Sequence, residues 1–312
     1  MLRGYGLAAI RQRPGLSVFR FAAGSPTIPA MSTFAVVAHR VTPTNARLGL
    51  VLSPAQAVAR LGPGDTALGR LDVLTSLDGV EPGLWALDRL AAGGVALLNN
   101  RSALVTAHDK LATAAALRAA RVPHPRTVHV APWLPLPELE PPLVLKPRFG
   151  SWGRDVVRCE TPEEIDSALF DLSQRRWYAA TGAIAQKLVA PRGFDLRIVV
   201  ARGRVIGAVR RVAAPGEWRT NIALGARREP VRPPVDACDV AVAAAAAVGG
   251  DLVGVDILPA DLGSWVVLEV NGAVDFTSVY SFDTDVFAAA TAAIVNAAVE
   301  ASNQANVDFG RS

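Results

Sequence analysis

Lysine is nearly missing from this chain: of its 32 basic residues, only Lys110, Lys146 and Lys187 are not arginine. A guanidinium is a planar fork, whereas an ammonium is a compact point charge on a flexible stem. Each lysine is therefore either a leftover of a compositional bias or a place where a point charge matters. Cysteine is scarce too, at Cys159 and Cys238. Two isolated cysteines exclude a disulfide framework and a cysteine zinc site, and make a reducing cytoplasm the expected compartment. The histidines, His39, His108, His124 and His129, contain no pair at helical spacing beside a glutamate, so they read as surface or packing residues rather than metal ligands. No apolar run approaches the ~18 residues of a membrane span, and no GxGxxG is present to support a dinucleotide fold. Neither a membrane nor a nucleic-acid partner is expected.

What is present is a chain of 312 residues, 51% hydrophobic and 19% charged, the make-up of an ordered globular enzyme with a sizeable core. The net charge of +4 permits an acidic partner without demanding one. No acidic residue precedes Asp65, and residues 1–30 carry Arg3, Arg11, Arg13 and Arg20 without a helical or strand period. This segment is expected to be an unstructured extension ahead of Met31, either an upstream start or an arginine-rich transit peptide.

From Met31 onward strands and helices alternate, which predicts an α/β chain. Residues 31–106 read as a small open α/β domain. Its strands are expected at Phe34–Ala38, Leu71–Thr75 and Val95–Leu98, with one helix behind Ser53 and Pro54 and another over Trp85–Ala92, stopped by Gly93 and Gly94. Residues 107–190 form a second region. It opens with a helix after Thr106, Asp109 standing three residues beyond that hydroxyl as in a capping box, and ending at Val122-Pro123. A proline-rich connector over Ala131–Pro142, the strand of Leu143–Lys146, a strand at Val156–Cys159, a helix announced by Thr161-Pro162-Glu163-Glu164 and a strand at Ile184–Val189 follow. Residues 191–312 are expected to begin with a hairpin around Arg202-Gly203 and to place alanine-rich helices, Ala237–Val248 and Phe287–Ala301, on either side of a strand ending at Asn271.

Chemistry concentrates in two places. In Leu143–Arg154, LVLKPRFGSWGR, a strand delivers Lys146 and runs into a turn through Gly150, Ser151, Trp152 and Gly153. Backbone amides of such a loop can approach an anion closely, although the loop lacks the GK[ST] ending of a Walker phosphate loop, and a structural turn explains it equally. In VDILP and VLEVN, alternation puts Glu269 and Asn271 on one strand face with Val270 on the other. With Asp256 on a neighbouring strand, the three make an oxygen-only cluster suited to magnesium; the other reading is a solvated edge with unrelated acids.

These motifs resemble the ATP-grasp ligases, within them the RimK-type and LysX-type branch. The carriers are HDKL around Lys110, KPRFGSWGR from Lys146, FDLR from Phe194, GEWRTN from Gly216, VDIL from Val255 and LEVN from Leu268, in the family's order and spacing. SWGR looks like the LysX side and VDIL like the RimK side. The resemblance runs from about Phe34 to the C-terminus. It implies an α+β ATP-grasp fold in which subdomains 107–190 and 191–312 clamp ATP, beside the small N-terminal domain.

By position, the resemblance makes Lys110 and Lys146 phosphate contacts, Gly150, Ser151, Trp152 and Gly153 the covering flap, and Lys187 and Leu188 the hinge whose backbone grips adenine. It makes Asp195, Arg219, Thr220 and Asn221 further nucleotide contacts, and Asp256, Glu269 and Asn271 the ligands of Mg2+ or, in its place, Mn2+. Arg211 and Arg219 are the candidates for steadying an acyl phosphate. Arg210, Arg211, Arg219, Arg227 and Arg228 either select an acidic substrate or, for the last two above all, form a solvated surface. Lys187 stands where the family usually has glutamate, and Leu224 where it usually has an arginine followed by two glycines.

The implied activity is ATP-dependent joining of a carboxylate to an amine, with an acidic amino acid such as glutamate as one substrate. The acceptor is open among a protein terminus, a carrier protein, a peptide and a small molecule, and assembly into homo-oligomers is compatible with the sequence. Two alternatives are an ATP-grasp kinase acting on a hydroxyl and a nucleotide-binding module without turnover.

Overall fold

A computed structural model describes residues 32–73, 75–76, 79–80, 83–135 and 137–294. The expected extension 1–30 and the end of the expected helix Phe287–Ala301 lie outside them.

The first layer is built from short apolar strands between well-capped helices. In order come β1 (Phe34–Val37), α1 (Pro43–Leu48), β2 (Leu50–Leu52), α2 (Pro54–Arg60), β3 (Thr66–Gly69), β4 (Thr75–Ser76), β5 (Gly79–Val80), α3 (Leu84–Ala92) and β6 (Ala96–Leu98). Strands β2-β1-β3-β6 form a parallel sheet. Ser53 and Gln56 complete a capping box on α2, and Pro54 occupies its first turn. The strand expected at Leu71–Thr75 sits earlier, at Thr66–Gly69. The central position demands small residues: a Cβ on Gly69 would fall 2.4 Å from the Asn99 carbonyl oxygen, and Thr-Ala-Leu-Gly satisfies this where the bulkier Leu-Asp-Val does not.

The helix expected after Thr106 is two helices, α4 (Arg101–His108) and α5 (Lys110–Ala119). Thr106 lies inside α4, which Asn100 caps. The break falls at Asp109, whose Oδ1 accepts from the Leu111 and Ala112 amides at 3.0 and 3.4 Å. Asp109 is therefore the cap itself rather than the third residue of a box, and it makes Lys110 the first residue of a helix.

The second layer comprises β7 (Thr127–Val130), β8 (Leu143–Pro147), β9 (Val157–Cys159), α6 (Pro162–Ser173), α7 (Arg176–Thr181) and β10 (Ala183–Lys187), with antiparallel order β7-β10-β8-β9. Leu143, Leu145, Ala183 and Ala185 pack with Ile165, Ala168 and Leu172 of α6. The two-residue strand period then sends Val144 and Lys146 to the opposite face. Thr161 caps α6, but Glu164 bonds the Glu160 amide at 2.6 Å, so the expected box is only half formed.

The third layer holds β11 (Phe194–Ala201), β12 (Arg204–Val212), β13 (Arg227–Pro230), α8 (Val235–Ala247), β14 (Leu252–Pro259), β15 (Trp265–Asn271) and a helix α9 over 286–294. Sheet order is β13-β12-β11-β14-β15, antiparallel throughout. Arg202 and Gly203, at φ 47° and 72°, turn the predicted hairpin. One sheet face, with Leu196, Ile198, Val200, Val253, Val255 and Val270, is sealed by the alanines of α8. The other face splits along its length. Val199, Ala201, Val209 and Leu252 are buried with Val36 and Leu68 of the first layer and with Phe276, Phe287 and Ile294, whereas Asp195, Arg197, Asp256 and Glu269 occupy the uncovered half. Among the described residues no helix is long and apolar enough to cross a membrane.

Candidate active site

The uncovered half of the third sheet carries a row of charge. Cross-strand register sets Arg211 of β12 opposite Asp195 of β11, Arg197 of β11 opposite Asp256 of β14, and Asp256 opposite Glu269 of β15. The side chains close this row into a network. Arg211 Nε donates to Asp195 Oδ1 at 2.8 Å and its Nη2 to both Asp195 Oδ2 and Asp256 Oδ2, the latter at 2.8 Å. Arg197 forks onto Asp256 with two bonds of 2.6 Å and stands 3.9 Å from Glu269. Thr220 Oγ1 donates to Asp195 Oδ2 at 2.6 Å. Burial opposes ionisation of Asp256, but the Arg197 and Arg211 guanidiniums outweigh it and hold its carboxyl at about 2. Asp195, Arg211 and Asp256 are buried, so the network is a rigid floor rather than a solvated edge.

β15 reaches this floor through an irregularity. Asp256 pairs with Glu269 but Ile257 with Val267, leaving Leu268 as an extra residue. Val267 and Val270 both enter the α8 core, and the bulge lets Leu268 and Glu269 both face the cleft.

Opposite the floor, β8 and β10 supply Val144, Lys146 and Gln186, and α5 supplies Lys110 from its first residue. Together these elements line a cleft that is open to solvent. Lys146 is 6% exposed. Burial pushes its ammonium down to about 8, against the pull of Glu269, with Lys110 pushing the same way as burial and Asp256 opposing. Burial lowers Lys110 also, opposed by Glu269 and Asp109. Two partly desolvated ammonium groups directed at a carboxylate floor form a site for a polyanion together with a cation.

The loop between β8 and β9 covers the cleft. Gly150, Trp152, Gly153 and Asp155 all have positive φ, 119°, 69°, 70° and 52°, a conformation costly for tryptophan and better tolerated by aspartate. Lys110 Nζ donates to the Gly150 carbonyl at 2.6 Å and an Arg219 Nη1 to the Gly153 carbonyl at 3.1 Å. At the far side, Asp155 accepts from Trp177 Nε1 at 2.9 Å.

The structure brings almost every predicted site residue to this cleft: Lys110, Lys146, Gly150, Ser151, Trp152, Gly153, Lys187, Leu188, Asp195, Arg211, Arg219, Thr220, Asn221, Asp256 and Glu269 line it. Asn271 shares the Glu269 strand face but is outside the lining; its Nδ2 lies 3.5 Å from the Gly254 carbonyl. At the expected adenine hinge, the Lys187 and Leu188 amides already bond to Arg126 O at 2.9 Å and Pro142 O at 3.1 Å. A base held there must use other backbone groups, and Val189 follows in the lining. Leu224, found where an arginine is usual, has its Cδ1 only 3.2 Å from the position of a Cβ on Gly153, so it supports the flap with apolar contact. Arg227 is paired with Glu229 and exposed, and Arg228 is exposed as well. Arg210 stacks on Phe194, 4.0 Å from the ring centroid. Arg197 is the main residue that motif reading left without a role. It stands two residues from Asp195 on β11, which puts both on the same face; the strand expected from the sequence, Leu196–Val200, begins one residue too late to show it.

A cleft between two antiparallel sheets, with lysines above, carboxylates below and a glycine flap, defines the ATP-grasp class of α+β enzymes. Residues 114–294 match the RimK-like ATP-grasp domain, and the chain belongs to that family. It is 36% identical over 133 residues to a probable alpha-L-glutamate ligase of Aeromonas salmonicida, covering 42% of this chain and 43% of that one. It is 28% identical over 219 residues to the glutamate–LysW ligase ArgX of Sulfurisphaera tokodaii, covering 69% and 78%. The match thus spans less than half the length of the Aeromonas relative and over three quarters of ArgX. Among solved structures, D-alanine–D-alanine ligase from Bacillus anthracis shares the fold at a TM-score of 0.63 and 15% identity, over 90% of this chain and 100% of that one.

Proposed function

We propose that the chain is an ATP-dependent carboxylate–amine ligase acting with an acidic amino acid, glutamate first among them. The observation that carries the reading is the meeting of Lys110 and Lys146 with Asp256 and Glu269 across one cleft in a RimK-like ATP-grasp chain. The glutamate-ligase names of the Aeromonas and Sulfurisphaera relatives support the choice of substrate.

In this reading a carboxylate oxygen attacks the γ-phosphorus of ATP, ADP leaves, and an acyl phosphate forms. The amine nitrogen then attacks the acyl carbon, loses a proton, and expels phosphate. Lys110 and Lys146 hold the phosphates as point charges. Glu269 on β15 and Asp256 opposite it on β14, with Asn271 two positions further along β15, are the residues that would hold Mg2+ or Mn2+ as oxygen donors; Asp256 would do so by sharing the oxygens that Arg197 and Arg211 now bond. The cation, when bound, offsets charge on the phosphate oxygens. Arg211 is already committed to Asp195 and Asp256, so it acts by fixing the floor, and Arg219, which forks onto Glu217 at 3.0 and 2.8 Å while its Nη1 donates to the Gly153 carbonyl, acts by holding the flap over the phosphates. Closure of the flap through Lys110 and Arg219 excludes water, which would otherwise hydrolyse the acyl phosphate.

The test is ATP-dependent conversion of glutamate or 2-aminoadipate with candidate acceptors, followed by product mass. The expected product is an amide, with one ADP and one phosphate released, and Glu269→Ala abolishes the release. A product heavier by one phosphate and lacking the amide overturns the reading in favour of a kinase.

A further inference from the structure

The cleft changes character along its length, and it does so on both walls. On β8 the charged Lys146 is two residues from Val144, and on β14 the charged Asp256 is two residues from Leu258, so one face of each strand passes from charge to apolar carbon within a single repeat. Val156, Leu188 and Leu268 line the apolar half with them. The charged half suits phosphates, and the apolar half is left for a flat, weakly hydrated group, which in a nucleotide is the base. One polar side chain is set into this apolar half from β10. Gln186 pairs with Val144 of β8 on one side and with Thr127 of β7 on the other, lines the cleft and is only 6% exposed.

A side-chain amide has one end that donates and one that accepts, and here a neighbouring hydroxyl decides which end faces the cleft. Thr127 has a single hydroxyl proton, and its Oγ1 donates it to the Pro125 carbonyl at 3.0 Å. Toward Gln186 that oxygen can therefore only accept, and it does so from Nε2 at 3.0 Å. Turning the amide over would set two acceptors against each other or break the bond to Pro125, at a cost of about 1 kcal/mol. Nε2 is thereby held at the edge strand β7, and Oε1 is presented to the cleft. No group among the described residues bonds to Oε1, and it is not sealed from solvent either: the buried side-chain atoms that lack a partner there belong to Arg70, Arg210 and Tyr280. Thr127 itself is outside the lining, so it acts on a ligand only through Gln186.

We propose that Thr127 is a positioning residue through which the cleft chooses its purine. With Oε1 fixed toward the ligand, Gln186 accepts a hydrogen bond from an exocyclic amino group such as the 6-amino group of adenine, and sets an oxygen against the 6-carbonyl of guanine or hypoxanthine, which can only accept. Removing the hydroxyl frees the amide to turn, and a freely turning amide offers Nε2 to a carbonyl as readily as it offers Oε1 to an amine. The proposal rests on the nucleotide-binding half of the ligase reading above and on none of its amide chemistry.

The test measures, by calorimetry on the full chain with magnesium, the affinities of ATP, inosine triphosphate and purine riboside triphosphate, the last with only hydrogen at position 6. The proteins compared are the wild type, Thr127→Val, Thr127→Ser and Gln186→Leu. The wild type is expected to favour ATP over inosine triphosphate by about tenfold or more. In Thr127→Val, which keeps the shape, the preference should shrink to about twofold, and Thr127→Ser, which restores the hydroxyl, should keep it. Purine riboside triphosphate offers the amide nothing to read, so the wild type and Thr127→Val should bind it within about twofold of each other. Equal weakening of all three nucleotides by Thr127→Val shows a merely structural role and overturns the proposal. So does an unchanged ratio in Thr127→Val or in Gln186→Leu, or a wild type with no preference for ATP. Selectivity lost in Thr127→Val and kept in Thr127→Ser, in a protein that forms no amide from any acid and amine pair, supports the proposal while sinking the ligase reading. Absence of nucleotide binding overturns both.

Discussion

Asn99 binds Gly272 across 173 positions of sequence: its Nδ2 donates to the Gly272 carbonyl at 3.1 Å and to Leu252 O at 2.7 Å. Its Oδ1 accepts from the Asp251 and Leu252 amides at 2.7 and 3.1 Å, and its own amide donates to Asp251 Oδ2. Asn99 is fully buried at φ 48°, a conformation that asparagine tolerates better than most residues. One side chain thus pins the start of β14 and the residue after Asn271 to the first layer. Asn99→Ala leaves several backbone groups buried without partners and is expected to cost about 3 kcal/mol. Calorimetric melting should fall by several degrees, and the magnesium concentration needed for half-maximal ADP release should rise.

Asp256 and Glu269 are cross-strand neighbours with different surroundings, which separates their two duties. Asp256 neutralises Arg197 and Arg211 from a buried position, so Asp256→Asn leaves two guanidiniums poorly paired and should destabilise by about 3 kcal/mol. Glu269 is partly exposed and only 3.9 Å from Arg197, so Glu269→Gln should leave the melting temperature nearly unchanged. Both should stop substrate-dependent ADP release. Equal melting shifts for the two variants would contradict the division.

How much of this was legible depended on the range of the physics involved. Lys146, Glu269 and the Arg202-Gly203 hairpin follow from strand alternation and turn chemistry, which a few consecutive residues specify. The break at Asp109 is hidden in the sequence, because a carboxylate three residues after a threonine looks like a capping box, whereas this carboxylate caps the next helix. The bulge at Leu268 was not legible, since alternation accounts for Glu269 and Asn271 but not for a core that takes both Val267 and Val270. Arg70 and Asn99 carried no local signal at all. Their partners, Val274 and Gly272, lie 204 and 173 positions away, and only the packing of the first layer on the third brings them together.

Lys146 should give the nucleotide affinity a pH limb. Its pKa is lowered by burial from 10.5 to about 8, so between these values the unfolded chain holds the extra proton, and the Lys146 contribution to stability rises with pH through that window. Phosphate binding has the opposite sign, because it needs the ammonium. ATP affinity measured by calorimetry is expected to fall as pH rises above about 8 in the wild type. In Lys146→Gln it should be weaker throughout and lack that limb.

Gly153 is the flap position where substitution is most informative. At φ 70° an alanine is strained by roughly 1 kcal/mol or more, and its Cβ would lie 2.8 Å from Asn221 Oδ1 and 3.2 Å from Leu224 Cδ1. The loop must shift to accept it, loosening the bond from Arg219 to the Gly153 carbonyl. Because the flap adds little to the buried cores, Gly153→Ala should leave global melting nearly unchanged while raising the KM for ATP by about tenfold. It should also increase the fraction of ADP released without amide, since a flap that closes poorly admits water to the acyl phosphate. Trp152, 63% exposed at the loop tip, supplies the readout: its fluorescence should change on ATP addition in the wild type and respond less in Gly153→Ala. An ATP-induced change of the same size in both proteins, with unaltered coupling of ADP to amide, would show that the loop does not close over the nucleotide.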